Sequence, residues 1–398
     1  MFFHLLKPIW KRKFKNMMLS LEILLAFVVV FAVSAMGLRY WQLYQLPLGF
    51  QAESVWSVGI HTGEGDVSKA SAGMSEQFKR SLEALPEVER VAFSNYTPYS
   101  NSTWFTQYRQ PHDAKKVDVN IMEVSDDFFK VLGMQTSQGA WFSAADEATP
   151  AIVINRSAAQ GLFGDKDPIG QILTDSDTDE KATKLMKVTG VFDDFRNKGE
   201  FMTPTNFVLL RHSTLNEKEM LHTILLKLKP GTSRIFEVKL NQQLKLVRND
   251  WRYRIAPLSA LRHDLLLEQS TPLIVLAVIA SFLLIMVAFG LFGVLWQNTT
   301  RRIPEIGLRR AMGAHAGNIY RQIIAEQLLL SSLAMVVGMV LLIQLPLTGA
   351  LGANLNWSVF VAASVLSVAL IYGLSILCSL YPAWQASRLS PTQALHYE

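Results

Sequence analysis

Residues 301–324 read RRIPEIGLRRAMGAHAGNIYRQII. Arg301, Arg302, Arg309, Arg310 and Arg321 stand there against one acid, Glu305, with Pro304 and the glycines Gly307, Gly313 and Gly317 between them. On either side lie residues 269–300 and 327–387, which contain no Asp, Glu, Lys or Arg. Uncharged runs of that length need a hydrocarbon environment, and a basic island between two of them fixes the side on which they turn.

The runs divide into four spans. Residues 16–38 hold one charge, Glu22, and residues 271–296 hold none. The stretch 327–387 is too long for one crossing and breaks at QLPLTGALGANLNW, 344–357. That leaves spans at 323–345 and 358–381, each able to cross a core of ~30 Å. The first run is longer than the ~7–15-residue apolar region of a cleaved leader and is read as a retained anchor.

Lys and Arg in the short flanks set the expected orientation. Lys7, Lys11, Arg12, Lys13 and Lys15 precede the first span with no acid among them, and Arg388 follows the last. Residues 1–15, 299–322 and 382–398 are therefore expected on the cytoplasmic side, and the uncharged turn 346–357 outside. Residues 39–268 carry 27 Lys+Arg and 29 Asp+Glu, nearly balanced, so the overall charge of +5 reports topology rather than a nucleic-acid surface.

The outer segment is large enough to fold on its own. Its patterning predicts strands at 54–60, 88–95, 117–125, 187–195, 207–212, 222–230 and 252–256, with helices at 68–85 and 233–248. AIVINRSAAQGLFG, 151–164, reads as strand then helix, and DDFFKVLG as a short helix stopped at Gly133. The expected fold is an α-helical membrane domain of four transmembrane helices plus an α+β domain inserted between helices 1 and 2. That domain spans 41–257, with an insertion at about 98–186; helices 1 and 2 with their extensions occupy 16–40 and 258–298.

Little in the chain suggests chemistry. No Gly-Lys pair occurs, so there is no phosphate-cradling loop. DSDTDE, 175–180, fails as a calcium loop because Glu180 and Met186 stand where Gly and Glu are required, and it reads as a solvated hairpin tip. Cys378 is the single cysteine and excludes an internal disulfide. No cofactor and no metal site is expected. Glu22 lies one to two turns inside the first span, where it serves either as an interfacial anchor or as an intramembrane functional contact.

The 301–324 stretch itself reads as a short helix. Pro304 suits its first turn. Glu305 sits where the helix dipole favours an acid, and Arg309 and Arg310 where it favours cations. Gly313 is a natural stop, with re-entry near Asn318 into the third span. Ile306, Leu308 and Met312 are candidate apolar contacts. The alternative is a basic loop that only fixes topology.

RRIPEIGLRRAMGA resembles the hallmark loop of the MacB/FtsX-like family of ABC transporter permeases, and YPAWQASRLSPTQALHYE, 381–398, resembles that family's closing motif. There Pro382–Ala383 would end the last span, and Pro391 to Leu395 lead to the final acid. VSDDFFKVLGM, AIVINRSAAQGLFGDKDPIGQIL and VTGVFDDF are similar to its periplasmic core domain. His315, where the family often has a small hydroxyl residue, departs from the pattern.

The resemblance implies a bacterial inner-membrane permease that works as a dimer, with a second copy or a related permease. Its short helix, Pro304 to Gly313 with Glu305, Ile306, Gly307, Arg309 and Arg310, would dock on a dimeric ABC ATPase. With 15 residues before the first span, that ATPase is expected to be a separate chain that binds the ATP. Helices 1 and 2 would extend outward as a stalk. The resemblance favours export of a small molecule or peptide through a periplasmic adaptor and an outer-membrane channel. Lipoprotein release and FtsX-like signalling to a periplasmic enzyme stand as alternatives, while a membrane-anchored enzyme lacks any candidate constellation.

Overall fold

The computed structural model describes residues 13–62, 73–111, 115–143, 150–175, 185–213, 221–349 and 356–388. The acidic tip beyond Asp175, residues 350–355 of the 346–357 turn and the tail motif from Leu389 onward lie outside them. The chain forms two compact units, one from Met1–Gln42 with Ser270–Glu398 and one from Leu43–Gln269.

Four helices in the first unit are long and apolar enough to cross a membrane. They are α1 (Lys13–Tyr44), α6 (Leu258–Arg301), α8 (Ala316–Leu342) and α10 (Trp357–Arg388), with the short α7 (Ile303–Ala311) and α9 (Gln344–Thr348) between them. At 1.5 Å per residue, the 44-residue α6 is about 66 Å long, twice the hydrocarbon thickness. Its first turns, Leu258–Gln269, belong to the globular unit.

Inside the helical unit, α1 supplies the centre. Ile23 and Phe27 are fully buried, against Val287 and Leu291 of α6, Ala334 and Met335 of α8, and Ala363 and Ile371 of α10. Small residues let the backbones approach. A Cβ added at Gly338 would stand 2.7 Å from Phe27 Cδ1. Between α8 and α10 runs a set of hydroxyls: Ser331 and Ser375 at 2.8 Å, and Ser332 and Tyr372 at 2.7 Å. Apolar side chains such as Ile274, Val278, Phe282 and Phe289 of α6 point outward, as helices in contact with lipid require.

Pro382 does not end the last helix. α10 continues through it to Arg388, because Ala383 and Ala386 are fully buried and Ala386 packs with Ile306 and Ile319. α8 likewise begins at Ala316, seven residues before the span expected at 323.

The globular unit is built on eleven strands among the described residues. β1 (Val55–His61), β2 (Val88–Ser94), β10 (Thr223–Leu228) and β11 (Arg252–Pro257) form an antiparallel sheet in the order β11-β1-β10-β2. Helices α2 (Met74–Glu83) and α5 (Phe236–Val247) cover it. Phe78, Leu82, Leu240 and Leu244 pack on Val58, Phe93 and Ile224.

The remaining strands are β3 (Trp104–Arg109), β4 (Val117–Val124), β5 (Thr136–Gly139), β6 (Ala151–Asn155), β7 (Ile172–Asp175), β8 (Leu185–Phe192) and β9 (Phe207–Arg211), with helices α3 (Phe128–Val131) and α4 (Arg156–Phe163). Six of the strands close into a ring, β4-β3-β7-β8-β6-β9, completed by parallel pairing of β9 with β4 from Asn120↔Phe207 to Val124↔Arg211. β6 is buried along its whole length, Ala151 and Val153 in one apolar cluster and Ile152 and Ile154 in another. That explains the unbroken apolar run Ala151–Ile154 within it.

The insertion is therefore larger than 98–186. β8 and β9 pair within the ring, so the insertion runs from β3 to Arg211. Three short strands, β3, β5 and β7, are additions to the pattern expected from sequence.

Candidate functional site

The charged stretch forms the short helix α7, and among the described residues its packing contacts with the helical unit lie on one face. α7 places Glu305 in its first turn. It stops at Gly313, where φ is +97° and the Ala314 amide donates to the Arg309 carbonyl at 3.0 Å. That bond, five residues back along the chain, is the Schellman closure, and its left-handed residue favours glycine. His315 caps α8 with extended backbone and no side-chain hydrogen bond, so the following helix starts without the hydroxyl cap.

Ile303, Ile306 and Gly307 face inward, and Ile306 packs on Ile319, Ile323 and Ala386. Gly307 is buried on this inner face. Ile306 is likewise a core contact within the chain. The opposite face carries Pro304 and Glu305, both exposed, with Leu308 at 59% and Met312 at 73% exposure. The Arg310 side chain lies outside the described residues.

A continuous polar chain ties the edge of α7 to α8. Arg309 donates to Glu305 at 2.5 Å and to Gln322 at 2.9 Å. Gln322 donates to Glu326 at 3.0 Å, and Glu326 accepts from Arg302 at 2.7 Å. Arg302 and Glu326 are both mostly buried, at 23% and 18% side-chain exposure, so this pair is held more firmly than a surface ion pair. The network borders a cavity of about 80 Å³ whose walls include Leu19, Asn298, Thr299 and Ile319.

In the sequence Arg302 stands as a topology signal, and Gln322 and Glu326 belong to no motif. Their spacing of four on the first turns of α8, ending where the uncharged run begins, was the available sign. Glu22 is half-buried and turned toward α6: a Cβ added at Gly290 would stand 2.8 Å from its Oε2. No described cation pairs with it. Among the described residues no cluster of three or more His, Cys, Asp or Glu is placed to hold a metal ion.

Comparison with known proteins gives this architecture a family. The model of the MacB-like periplasmic core domain matches residues 23–235, and that of the FtsX-like permease C-terminal region matches residues 277–391. The macrolide export ATP-binding/permease protein MacB of Neisseria gonorrhoeae is 25% identical over 325 residues, covering 78% of this chain and 48% of that protein. Its namesake from Agrobacterium fabrum is 23% identical over 398 residues, covering 97% of this chain and 59% of that one. The chain thus spans about half the length of the curated relatives it matches. The crystal structure of the periplasmic region of MacB from Actinobacillus actinomycetemcomitans aligns with 56% of this chain and 97% of that one at 15% identity and a TM-score of 0.39. One family model spans more than half of the residues and the second takes in α7 and the last two spans: the chain belongs to the MacB/FtsX-like family of ABC transporter permeases.

Proposed function

We propose that the chain is the membrane-spanning subunit of an ABC transporter in a bacterial inner membrane, and that α7 is the helix on which a dimeric ATPase seats. Both termini and α7 face the cytoplasm, and the β-rich unit faces the periplasm. ATP is bound and hydrolysed by the nucleotide-binding partner. Closure of that partner pushes on α7, and the permease dimer passes the motion outward through α1 and α6. The cargo is a small molecule or peptide taken up on the periplasmic side and handed to an adaptor and an outer-membrane channel. The names of the relatives, which describe macrolide export, support that choice of cargo class.

The observation that carries the reading is the two-sidedness of α7. Its inner face and edge are fixed by Ile306 and by the Arg309–Gln322 and Arg302–Glu326 bonds. Its outer face presents Leu308 and Met312 around the Glu305–Arg309 pair. A rigidly held helix with an exposed apolar centre and a charged rim has the composition of a protein interface.

The test is co-purification of the ATPase from cells. Leu308→Asp and Glu305→Lys are expected to abolish recovery of the partner and export, while the variant chains remain in the membrane at normal level. A mispaired charge at such an interface costs about 2–5 kcal/mol. Normal ATPase recovery by both variants overturns the assignment and leaves α7 a topology anchor.

A further inference from the structure

The loop between β8 and β9, residues 193–206, is held by both chain segments that connect the globular unit to the spans. Arg196 is fully buried. Its Nε donates to the Met202 carbonyl at 2.9 Å, Nη1 to the Leu46 carbonyl at 2.9 Å, and Nη2 to the Glu200 carbonyl. The Arg196 amide donates to the Leu48 carbonyl at 3.0 Å. At Gly49 (φ +83°) the chain runs so close to the Asp194 carbonyl that a Cβ would stand 1.7 Å from its oxygen. The segment that follows α1 is thus bound to this loop through its backbone.

The first turns of α6 bind the same loop from another side. Arg262 pairs with Glu200, whose side chain is 5% exposed, and Gln269 donates to the Lys198 carbonyl at 3.2 Å. Leu258 and Leu265 are buried in the cluster that contains Phe195 and Phe207. A buried guanidinium is tolerated only where its donors are met. Here the acceptors are backbone carbonyls on two segments, so neither can move without breaking a charge-assisted bond.

The loop has two further attachments. It joins β8 to β9, both strands of the closed ring. Asn197, Lys198, Met202, Thr203 and Thr205 also wall a cavity of about 250 Å³ whose other side includes Tyr96 and Phe207.

We propose that residues 194–202 are the transmission element of the globular unit. Arg196, Glu200 and Arg262 are positioning residues that convert a displacement of α6 relative to α1 into a displacement of this loop and a change in the cavity behind it. This rests on the proposed transport function, in which α1 and α6 move when the ATPase closes.

The test is hydrogen exchange on the full chain in nanodiscs, alone and as the complex recovered with its ATPase, with ATP or ADP. Arg262→Met and Glu200→Gln are made separately. Arg262 is 42% exposed on its side chain, so its replacement leaves the core packed, and Arg262→Lys serves as the conservative variant. In the chain alone, both replacements are expected to speed exchange in 196–202 by about tenfold or more, with β6 unchanged. In the complex, wild type is expected to show an ATP-dependent change both at the start of α6 and in 196–202. The two variants are expected to keep the first and lose the second, and Arg262→Lys to restore part of it. Retention of the loop response in Arg262→Met and Glu200→Gln overturns this inference and leaves the transport reading intact. Absence of any ATP-dependent change in the wild-type globular unit overturns both.

Discussion

Replacing Glu326 with alanine is expected to loosen α7 from α8 without unfolding the helical unit. The carboxylate accepts from Arg302 at 2.7 Å and from Gln322 at 3.0 Å, and both members of the ion pair are mostly buried. Hydrogen bonds to charged groups contribute about 1.5–3 kcal/mol each. Arg302 retains some access to solvent, which lowers the penalty for leaving it unpaired. A net loss of about 2–3 kcal/mol follows, borne by the docking of α7 rather than by the global fold. At ~1.4 kcal/mol per factor of ten, the amides of α7 then exchange about 30- to 150-fold faster. Hydrogen-exchange mass spectrometry on nanodisc-embedded protein reads this from peptides covering 303–311, with peptides from β6 as the internal control. Glu326→Gln keeps the acceptor but removes the charge, so it falls between alanine and wild type. Exchange in α7 within about threefold of wild type for Glu326→Ala contradicts the argument, since so small a change is worth less than ~1 kcal/mol.

Gly338→Ala is expected to lower the melting temperature in detergent, because the added methyl meets a Phe27 ring with no free surface; overpacking of this kind costs about 1–3 kcal/mol. Gly373→Ala, on α10 with nothing within 4 Å of its Cβ position, is expected to leave stability unchanged or raise it by up to ~1 kcal/mol. Burial raises the Tyr253 phenol to about 12, and its hydroxyl donates to the Arg248 carbonyl at 2.8 Å. The folded state thus holds that proton longer than the unfolded chain, so the contribution is intact below pH ~10 and fades as pH climbs toward 12; Tyr253→Phe should flatten that alkaline decline in a pH series of urea melts. For topology, Gly65→Cys and His315→Cys in a Cys378→Ser background are to be treated with an impermeant maleimide in intact cells. Reaction at 65 and none at 315 is expected, and the reverse pattern inverts the proposed orientation.

The four spans were legible because a run of about 20 apolar residues without a charge is rare outside a membrane, and the stop at Gly313 because a left-handed turn asks for glycine. The faces of α7 were not. Ile306 and Leu308 are equally apolar, and only the position of Ala386, far away in sequence, decides that Ile306 is the buried one. The limits of the inserted subdomain are hidden in the sequence for a related reason. β8 and β9 look like ordinary half-buried strands, and membership in the ring depends on long-range pairing such as Asn120↔Phe207. β5 and β7 are four residues each, too short for alternation to show. Arg196 was invisible among the surface charges of an acidic loop, since burial of an arginine is decided by the carbonyls that surround it.

The hydroxyls between α8 and α10 constrain how force can pass through the membrane part. Sliding one helix along the other by a turn, ~5.4 Å, would part Ser331 from Ser375 and Ser332 from Tyr372. Hydrocarbon supplies no water to take up the freed groups, and each such bond is worth roughly 0.6–2 kcal/mol there. Tilting the two helices together breaks none of them. The pair therefore behaves as a keyed shaft, stiff against shear along its length and free to swing as one piece. Under the proposed function, a thrust delivered at α7, which is bonded to the first turns of α8 and packed on the end of α10, would arrive at the far side of the bilayer as an angular displacement.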